Sequence, residues 1–220
     1  MENAMELIRA RHSVRQYLDK KIPAEIREKL DAYAAELNAR SGLHIQILYE
    51  EPTCFSSRMA KYGRFEYCAN YIAMVGPKAP DLEERCGYYG ELLVLKAQEL
   101  GLNTCWAALT HGKSRVQLSD GESEVILIAL GYGRTQGAAR KSKTPADVSN
   151  ITPDSPAWFR QGVEAALLAP TALAKQAFEI TCEGNAVRIT CDNGIFTGVD
   201  LGLVRYHFEQ GAGRENFTWV

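Results

Sequence analysis

The sequence predicts an α+β fold built as two successive units, and three observations carry that reading. Residues 82–100 form one helix that is apolar almost all the way round. Residues 177–182 and 186–191 alternate as paired strands about a tight turn at Glu183-Gly184-Asn185. The order helix, break, strand, strand, long helix occurs twice, first from Pro23 and again from Pro156.

The elements follow in order. Pro23 to Asn38 spaces Ile26, Leu30, Tyr33, Ala34 and Leu37 as the apolar stripe of a helix, with Pro23 near its first turn and Ser41-Gly42 at its end. Leu43 to Tyr49 alternates as a strand. Glu50 to Arg64 is polar and reads as a loop with one helical turn, and a loop of that length suits a binding lid. Cys68 to Val75 is a β-branched and aromatic run that stops at Gly76-Pro77, hence a strand.

Leu82 to Leu100 is the core helix, stopped by Gly101. Leu102 to Leu109 continues through Trp106, and Glu124 to Leu130 is a further strand closed by Gly131-Tyr132-Gly133. Arg134 to Asn150 holds Arg134, Arg140, Lys141 and Lys143 with few apolar residues, and composition makes it a linker between a unit at 1–150 and a shorter one at 151–220. In the second unit Trp158 to Leu168 is a helix, Ala169-Pro170-Thr171 breaks it, the hairpin follows, and Phe196 to Gln210 returns to helix. The aromatic end, Asn216 to Val220, is expected to dock.

The 220 residues are 46% hydrophobic and 24% charged, so a full core is within reach. A formal charge of −2 and a pI near 6.1 argue against a general nucleic-acid binder, which needs a broad basic field. Glu2, Glu6, Arg9 and Arg11 leave no evident signal or transit peptide, and the longest apolar runs, such as Val125 to Leu130, are too short for a bilayer. A soluble, cytoplasmic protein with no membrane partner is the expectation. The six cysteines show no CxxC pair and no zinc spacing, and they read as reduced, mostly buried thiols with no metal site. Cys182 and Cys191 flank the hairpin turn and are candidates to face each other across it.

Candidate chemistry begins at Arg11-His12-Ser13-Val14-Arg15-Gln16-Tyr17. Arg11 and Arg15 each offer a planar fork to phosphate oxygens, and Ser13 adds a hydroxyl. A solvated helix end with scattered basic residues is the competing reading, and by itself this cluster favours it.

The same stretch resembles the Arg-Arg-Ser-Val-Arg-x-Phe opening of the FMN-dependent nitroreductase family, with His12 in place of the second arginine. Gly87 to Leu95 and Leu100-Gly101-Leu102-Asn103-Thr104-Cys105-Trp106 resemble that family's core helix and its Gly-Leu-Gly-Thr-Cys-Trp continuation. Ala169-Pro170-Thr171-Ala172-Leu173-Ala174-Lys175-Gln176-Ala177-Phe178 resembles its Ala-Pro-Ser-x-x-Asn-x-Gln-Pro-Trp segment. The resemblance spans nearly the whole chain, closely at 5–18 and 82–133 and loosely after 155, and the two-unit layout is most like the Thermotoga-type group.

The resemblance implies a nitroreductase-like fold with antiparallel-rich central sheets flanked by helices. In the family the flavin lies between two subunits, one giving the basic turn and the other the Ala-Pro-Ser segment. Here each unit holds the element the other lacks, which implies one polypeptide imitating the dimer, a monomer or weak homodimer with a single flavin site. Arg11, His12, Ser13 and Arg15 would take the phosphate, joined by one of Arg140, Lys141 and Lys143, at least one of which stays solvated. The family's backbone N–H near flavin N5 falls by position on Ala108, Leu109 or Thr110. Pro170, Thr171, Ala172 and Lys175 would back the ring. Trp106 fits core packing and a cofactor wall equally. Ala174 and Ala177-Phe178 depart from the family, so the amide to the pyrimidine edge is lost or replaced by Lys175 or Gln176.

The implied activity is an FMN-dependent oxidoreductase of ping-pong type, passing hydride from NAD(P)H through N5 to a nitroaromatic, quinone or other small electron acceptor. The cofactor would perform the chemistry, in keeping with the absence of a nucleophile–base pair and of a G-x-G-x-x-G fingerprint. The lid would be Phe55 to Phe65, with Arg58, Lys61, Tyr62 and Arg64 meeting an anionic substrate or the nicotinamide nucleotide. A flavin-binding or sensing module without turnover is the second reading, and an α+β domain binding another phosphate ligand the third. His44 and His207 read as packing or surface residues, and His111 as either a substrate-side or a solvated turn residue.

Overall fold

The structure, a computed structural model, describes residues 3–192 and 194–220; Met1 and Glu2 of the charged opening lie outside them. Helices α1 (Ala4–Ala10) and α2 (Ala24–Ser41) precede strand β1 (Gln46–Leu48), the short helix α3 (Arg58–Tyr62) and strand β2 (Asn70–Pro77). Core helix α4 (Leu82–Glu99), strands β3 (Asn103–Ala107) and β4 (Glu122–Gly131) and a single turn α5 (Pro145–Val148) follow. The chain closes with α6 (Ala157–Ala166), β5 (Phe178–Glu183), β6 (Ala186–Cys191), α7 (Thr197–Ala212) and β7 (Thr218–Trp219).

The first sheet is antiparallel throughout, in the order β1-β2-β4-β3. Both of its faces are covered, so β2 is buried along nearly its whole length. Ile72, Met74, Ile126, Ile128 and Leu130 pack into the main helical core. Alternation turns Tyr71, Ala73, Val75, Leu127, Ala129, Cys105 and Ala107 to a second cluster, closed by Val14, Tyr17, Cys54, Phe55, Ala60 and Phe65. The expected lid is thus anchored: it starts with a 3-10 turn at Cys54–Ser56, and three apolar side chains pin it to the sheet.

Helix α4 buries ten of its eighteen residues, as its all-round apolar sequence requires. It crosses α7 at backbone contact: a Cβ at Gly87 would stand 2.1 Å from the Val199 carbonyl oxygen, and one at Gly202 2.0 Å from that of Glu84. Helix α7 also packs on α6, where a Cβ at Gly211 would lie 2.4 Å from the Gln161 carbonyl oxygen. The second sheet has order β5-β6-β7, and β7 joins β6 in parallel, docking the aromatic terminus as expected.

Two expectations are corrected. Residues 134–150 do not run free as a linker. The Arg134 N–H donates to the Gln16 carbonyl at 2.9 Å, Val148 is buried, and Asn150 exchanges side-chain hydrogen bonds with both backbone groups of Cys182. Polar composition misleads here because the segment docks through hydrogen bonds. The cysteines at the hairpin do not oppose each other: Cys182 pairs with Val187 and Cys191 with Phe178, and all six thiols are free.

Candidate functional site

Residues 11–17 leave α1 as extended chain between β3 and the segment after α3. The Val14 N–H donates to the Thr104 carbonyl at 3.0 Å, the Glu66 N–H to the Arg15 carbonyl and the Tyr17 N–H to the Glu66 carbonyl. Val14 and Tyr17 face the sheet, and the buried Tyr17 hydroxyl donates to the Val14 carbonyl at 2.6 Å, fixing the turn. Alternation then places Ser13 and Arg15 on the exposed side. Half-buried His12 lies against Gly137, whose φ of +77° and lack of a Cβ permit the approach; a Cβ there would stand 2.6 Å from that of His12.

Arg11 turns inward and is 6% exposed. Its Nε lies 3.5 Å from Glu91 Oε1, without hydrogen-bond geometry to any partner, and one of its terminal nitrogens donates to the Leu168 carbonyl. Glu91 is fully buried in α4 and accepts from Trp106 Nε1 at 3.1 Å and from His207 Nε2 at 2.9 Å. Burial pushes the Glu91 carboxyl up, but the His207 hydrogen bond and charge, Arg11 and the indole N–H together hold it below the usual carboxylate value. The Ala165 carbonyl faces His207 Nδ1 at 3.1 Å, so both ring nitrogens of His207 lie against acceptors.

The end of α6 gathers further cations. Arg140 donates to the carbonyls of Leu167, at 3.0 Å, and Ala169, at 2.5 Å, where the helix dipole is negative. Burial, then the nearby charge of Arg11, lowers the Arg140 pKa. Beyond buried Pro170 and Thr171 the chain makes a strained loop: Leu173, Ala174 and Gln176 all have positive φ, between 48° and 55°. Three anchors hold it. The Ala172 N–H donates to both oxygens of Asp200, at 2.9 and 3.1 Å; the Gln176 side chain bonds Ser142 Oγ, the Leu167 carbonyl and the Lys143 N–H; and Lys143 Nζ donates to the Gln176 carbonyl. Burial pushes the Asp200 carboxyl up to about 6, against the pull of the Ala172 N–H and Arg140.

The loop after β3 meets the anchored lid. A Cβ at Gly63 would collide with Thr110, and the Gly112 N–H donates to the Cys54 carbonyl at 2.7 Å. Ala108 and Thr110 are half-buried and Leu109 is 63% exposed. His111 bonds the carbonyls of Ala108 and Gly112 within its own loop.

Of the residues singled out in sequence, Arg11, Arg140 and the 167–172 segment come together, as do Ser13 and Arg15 along one exposed edge. Lys141 and Lys175 are exposed, and half-buried Trp106 is tied to Glu91. Arg11 is buried beside Glu91, which supplies a counter-charge, and its Nε has no hydrogen-bond partner. The Gln176 amide is bonded at both ends. Glu91 and Asp200 were missed; the signal was present, since each is a lone acid in an otherwise apolar helical stretch. His207 is packed, as read, but within an ionic network. Among the described residues no three His, Cys, Asp or Glu side chains gather to hold a metal ion, and no helix is long and apolar enough to cross a membrane.

This arrangement has counterparts. A Thermotoga maritima nitroreductase structure superposes with a TM-score of 0.70 at 25% identity, covering 97% of this chain and 85% of that one. An FMN-dependent nitroreductase from Clostridium difficile (TM-score 0.50, 16% identity) covers 69% of this chain and 99% of its own, and a nitroreductase from Desulfovibrio desulfuricans in complex with FMN (0.54, 15%) covers 70% and 97%; these two share the fold. No curated protein matches in sequence. The family described as "Putative TM nitroreductase" matches residues 3–212, and the chain, with its antiparallel sheet, core helix and basic turn, belongs to that nitroreductase family.

Proposed function

We propose that the chain is an FMN-dependent oxidoreductase that takes hydride from NAD(P)H and passes it to a nitroaromatic, quinone or similar acceptor in two half-reactions at one site. The observation that carries this reading is the convergence of Arg11 and Arg140, from the front of the chain, on the carbonyls of Leu167, Leu168 and Ala169 just ahead of Pro170-Thr171. The basic turn and the rear clasp thereby meet within one polypeptide.

The residues fit a phosphate-bearing flavin. Arg11 keeps a buried Nε with no hydrogen-bond partner, and its charge opposes that of Arg140, so an anion nearby relieves both. When bound, FMN supplies the hydride chemistry. The protein's part is position and electrostatics. Ser13 and Arg15 offer outward donors and Lys141 is exposed, while Arg11, Arg140 and Lys143 hold the rear segment and add charge from behind. Trp106, fixed by Glu91, would wall the site, and the Ala108–Thr110 backbone would offer N–H donors to the flavin. Asp200 and Gln176 hold the strained 171–176 loop, leaving Lys175 as the side chain for the pyrimidine edge. Units 1–150 and 151–220 are the two halves of this site, so a monomer suffices. In support, the Clostridium and Desulfovibrio nitroreductases are spanned almost fully by about seven tenths of this chain.

The test is the visible spectrum of the purified protein together with FMN-dependent thermal stability. At a hundredfold excess over Kd, FMN adds about 2.7 kcal/mol. A colourless protein that gains nothing from FMN rejects the reading. Ala174 and the committed Gln176 amide favour one alternative, a flavin-binding sensor with little turnover; it would bind FMN yet oxidise no NAD(P)H with any acceptor.

A further inference from the structure

A groove of about 560 Å³ opens beside the lid, away from the Arg11–Arg140 clasp. Thr53 and Ser57 line one wall, and Gly112, Lys113, Ser114 and Arg115 the other. The second wall continues directly from Ala108–Thr110, and the two walls are tied by the Gly112 N–H to the Cys54 carbonyl and by the Cys54 thiol to the Gly112 carbonyl. The Tyr71 hydroxyl accepts from the Arg115 N–H at 2.9 Å, so the loop carrying both cations is held to the sheet.

Cations outnumber acids around the groove. Lys113 makes no ion pair among the described residues, and the Arg115 side chain is 69% exposed with its Nε 3.8 Å from Glu51. Two acids stand beside it and keep their charge: Glu51 accepts from the Thr53 hydroxyl and from the N–H groups of Thr53 and Cys54, and Glu124 accepts from the Ser114 hydroxyl. Helix α3 starts from Ser57 and adds exposed Arg58 and Lys61, with Arg64 just past its end and no acid anywhere from Pro52 to Phe65. Attraction between unit charges in contact grows severalfold as the effective dielectric falls from water's ~80 to about 20, so a half-enclosed cationic groove binds anions better than the open surface does.

We propose that this groove docks the anionic group, phosphate or carboxylate, of a small substrate, with Lys113 and Arg115 as its direct ligands and α3 as a cationic rim. The inference rests on the oxidoreductase reading and adds a substrate class to it. The volume falls within the roughly 300–1,000 Å³ of small-molecule sites. Either an anionic electron acceptor or the phosphates of the nicotinamide dinucleotide would present this chemistry.

The test is the double variant Lys113→Ala with Arg115→Ala. Both side chains are exposed, so the fold is expected to survive. If the anion belongs to the acceptor, KM for 4-nitrobenzoate rises about tenfold or more while KM for nitrobenzene stays within about twofold, a tenfold change being about 1.4 kcal/mol. If it belongs to the reductant, KM for NADPH and NADH rises and KM for 4-nitrobenzoate does not. Calorimetric titration of 4-nitrobenzoate and NADPH into wild type and variant asks the same question without turnover. Binding lost in the variant supports the groove even where the oxidoreductase reading has failed. Equal effects on nitrobenzene and 4-nitrobenzoate, anion binding unchanged by the substitutions, or no anion binding to the wild type overturns the proposal.

Discussion

Replacing Glu91 by glutamine probes the centre of the molecule. The carboxylate is fully buried and lies against Arg11, His207 and the Trp106 indole together. Glutamine keeps the volume and one acceptor but removes the charge, leaving the Arg11 guanidinium buried without a counter-ion. Removing one partner of a buried ion pair costs about 3–5 kcal/mol. For a chain of this size each kcal/mol moves Tm by roughly 2–4 °C, so the melting temperature should fall by about 6–20 °C. The pH dependence gives a second signature. The folded-state pKa of Glu91 is depressed, so its stabilisation is present above the ordinary carboxylate value and is lost as pH falls through the lowered one. Urea melts from pH 7 downwards should show wild type losing its advantage over the variant in acid. A double-mutant cycle with His207→Gln should give a coupling of about 0.5–3 kcal/mol. A Tm shift below about 2 °C, or strict additivity with the His207 change, would refute the reasoning.

Gly87→Ala puts a Cβ against the Val199 carbonyl, and it should destabilise by about 1–3 kcal/mol or more in urea unfolding, a neutral result contradicting the close α4–α7 crossing. Asp200→Asn should flatten the stability profile between pH 4 and about 6. Burial raises the wild-type carboxyl to about 6, so ionising it costs folding free energy as pH rises through that window; an unchanged slope sinks this account. Tyr17→Phe leaves the Val14 carbonyl without its buried donor, at a cost of about 1–3 kcal/mol in chemical denaturation, and should weaken FMN binding by loosening the Ser13–Arg15 edge. Leu173→Gly, at φ +52° and 87% exposed, should be neutral or stabilising in thermal melts, because glycine relieves the left-handed backbone at no packing cost.

Local pattern was enough for the scaffold. The all-round apolar run of α4, the stripe of α2, the β5–β6 hairpin and the alternation of β2 and β4 each state in a few residues which face is apolar, and burial leaves little choice about the outcome. The basic turn was legible for the same reason, and its resemblance to a known opening pointed to the family. Partners were not legible. His207 reaches Glu91 across 116 residues and Arg11 reaches Leu168 across 157, and no local period encodes which buried charge will find which acceptor. The 134–150 segment carried the composition of a linker because its attachment runs through backbone and guanidinium hydrogen bonds, which leave no hydrophobic trace. The sequence by itself determined the elements, their apolar faces and the positions of the cations. Only the tertiary structure decided that Arg11 would turn inward to Glu91 while Ser13 and Arg15 stay outside, because a buried charge must be matched by whatever opposite charge the packed helices bring beside it.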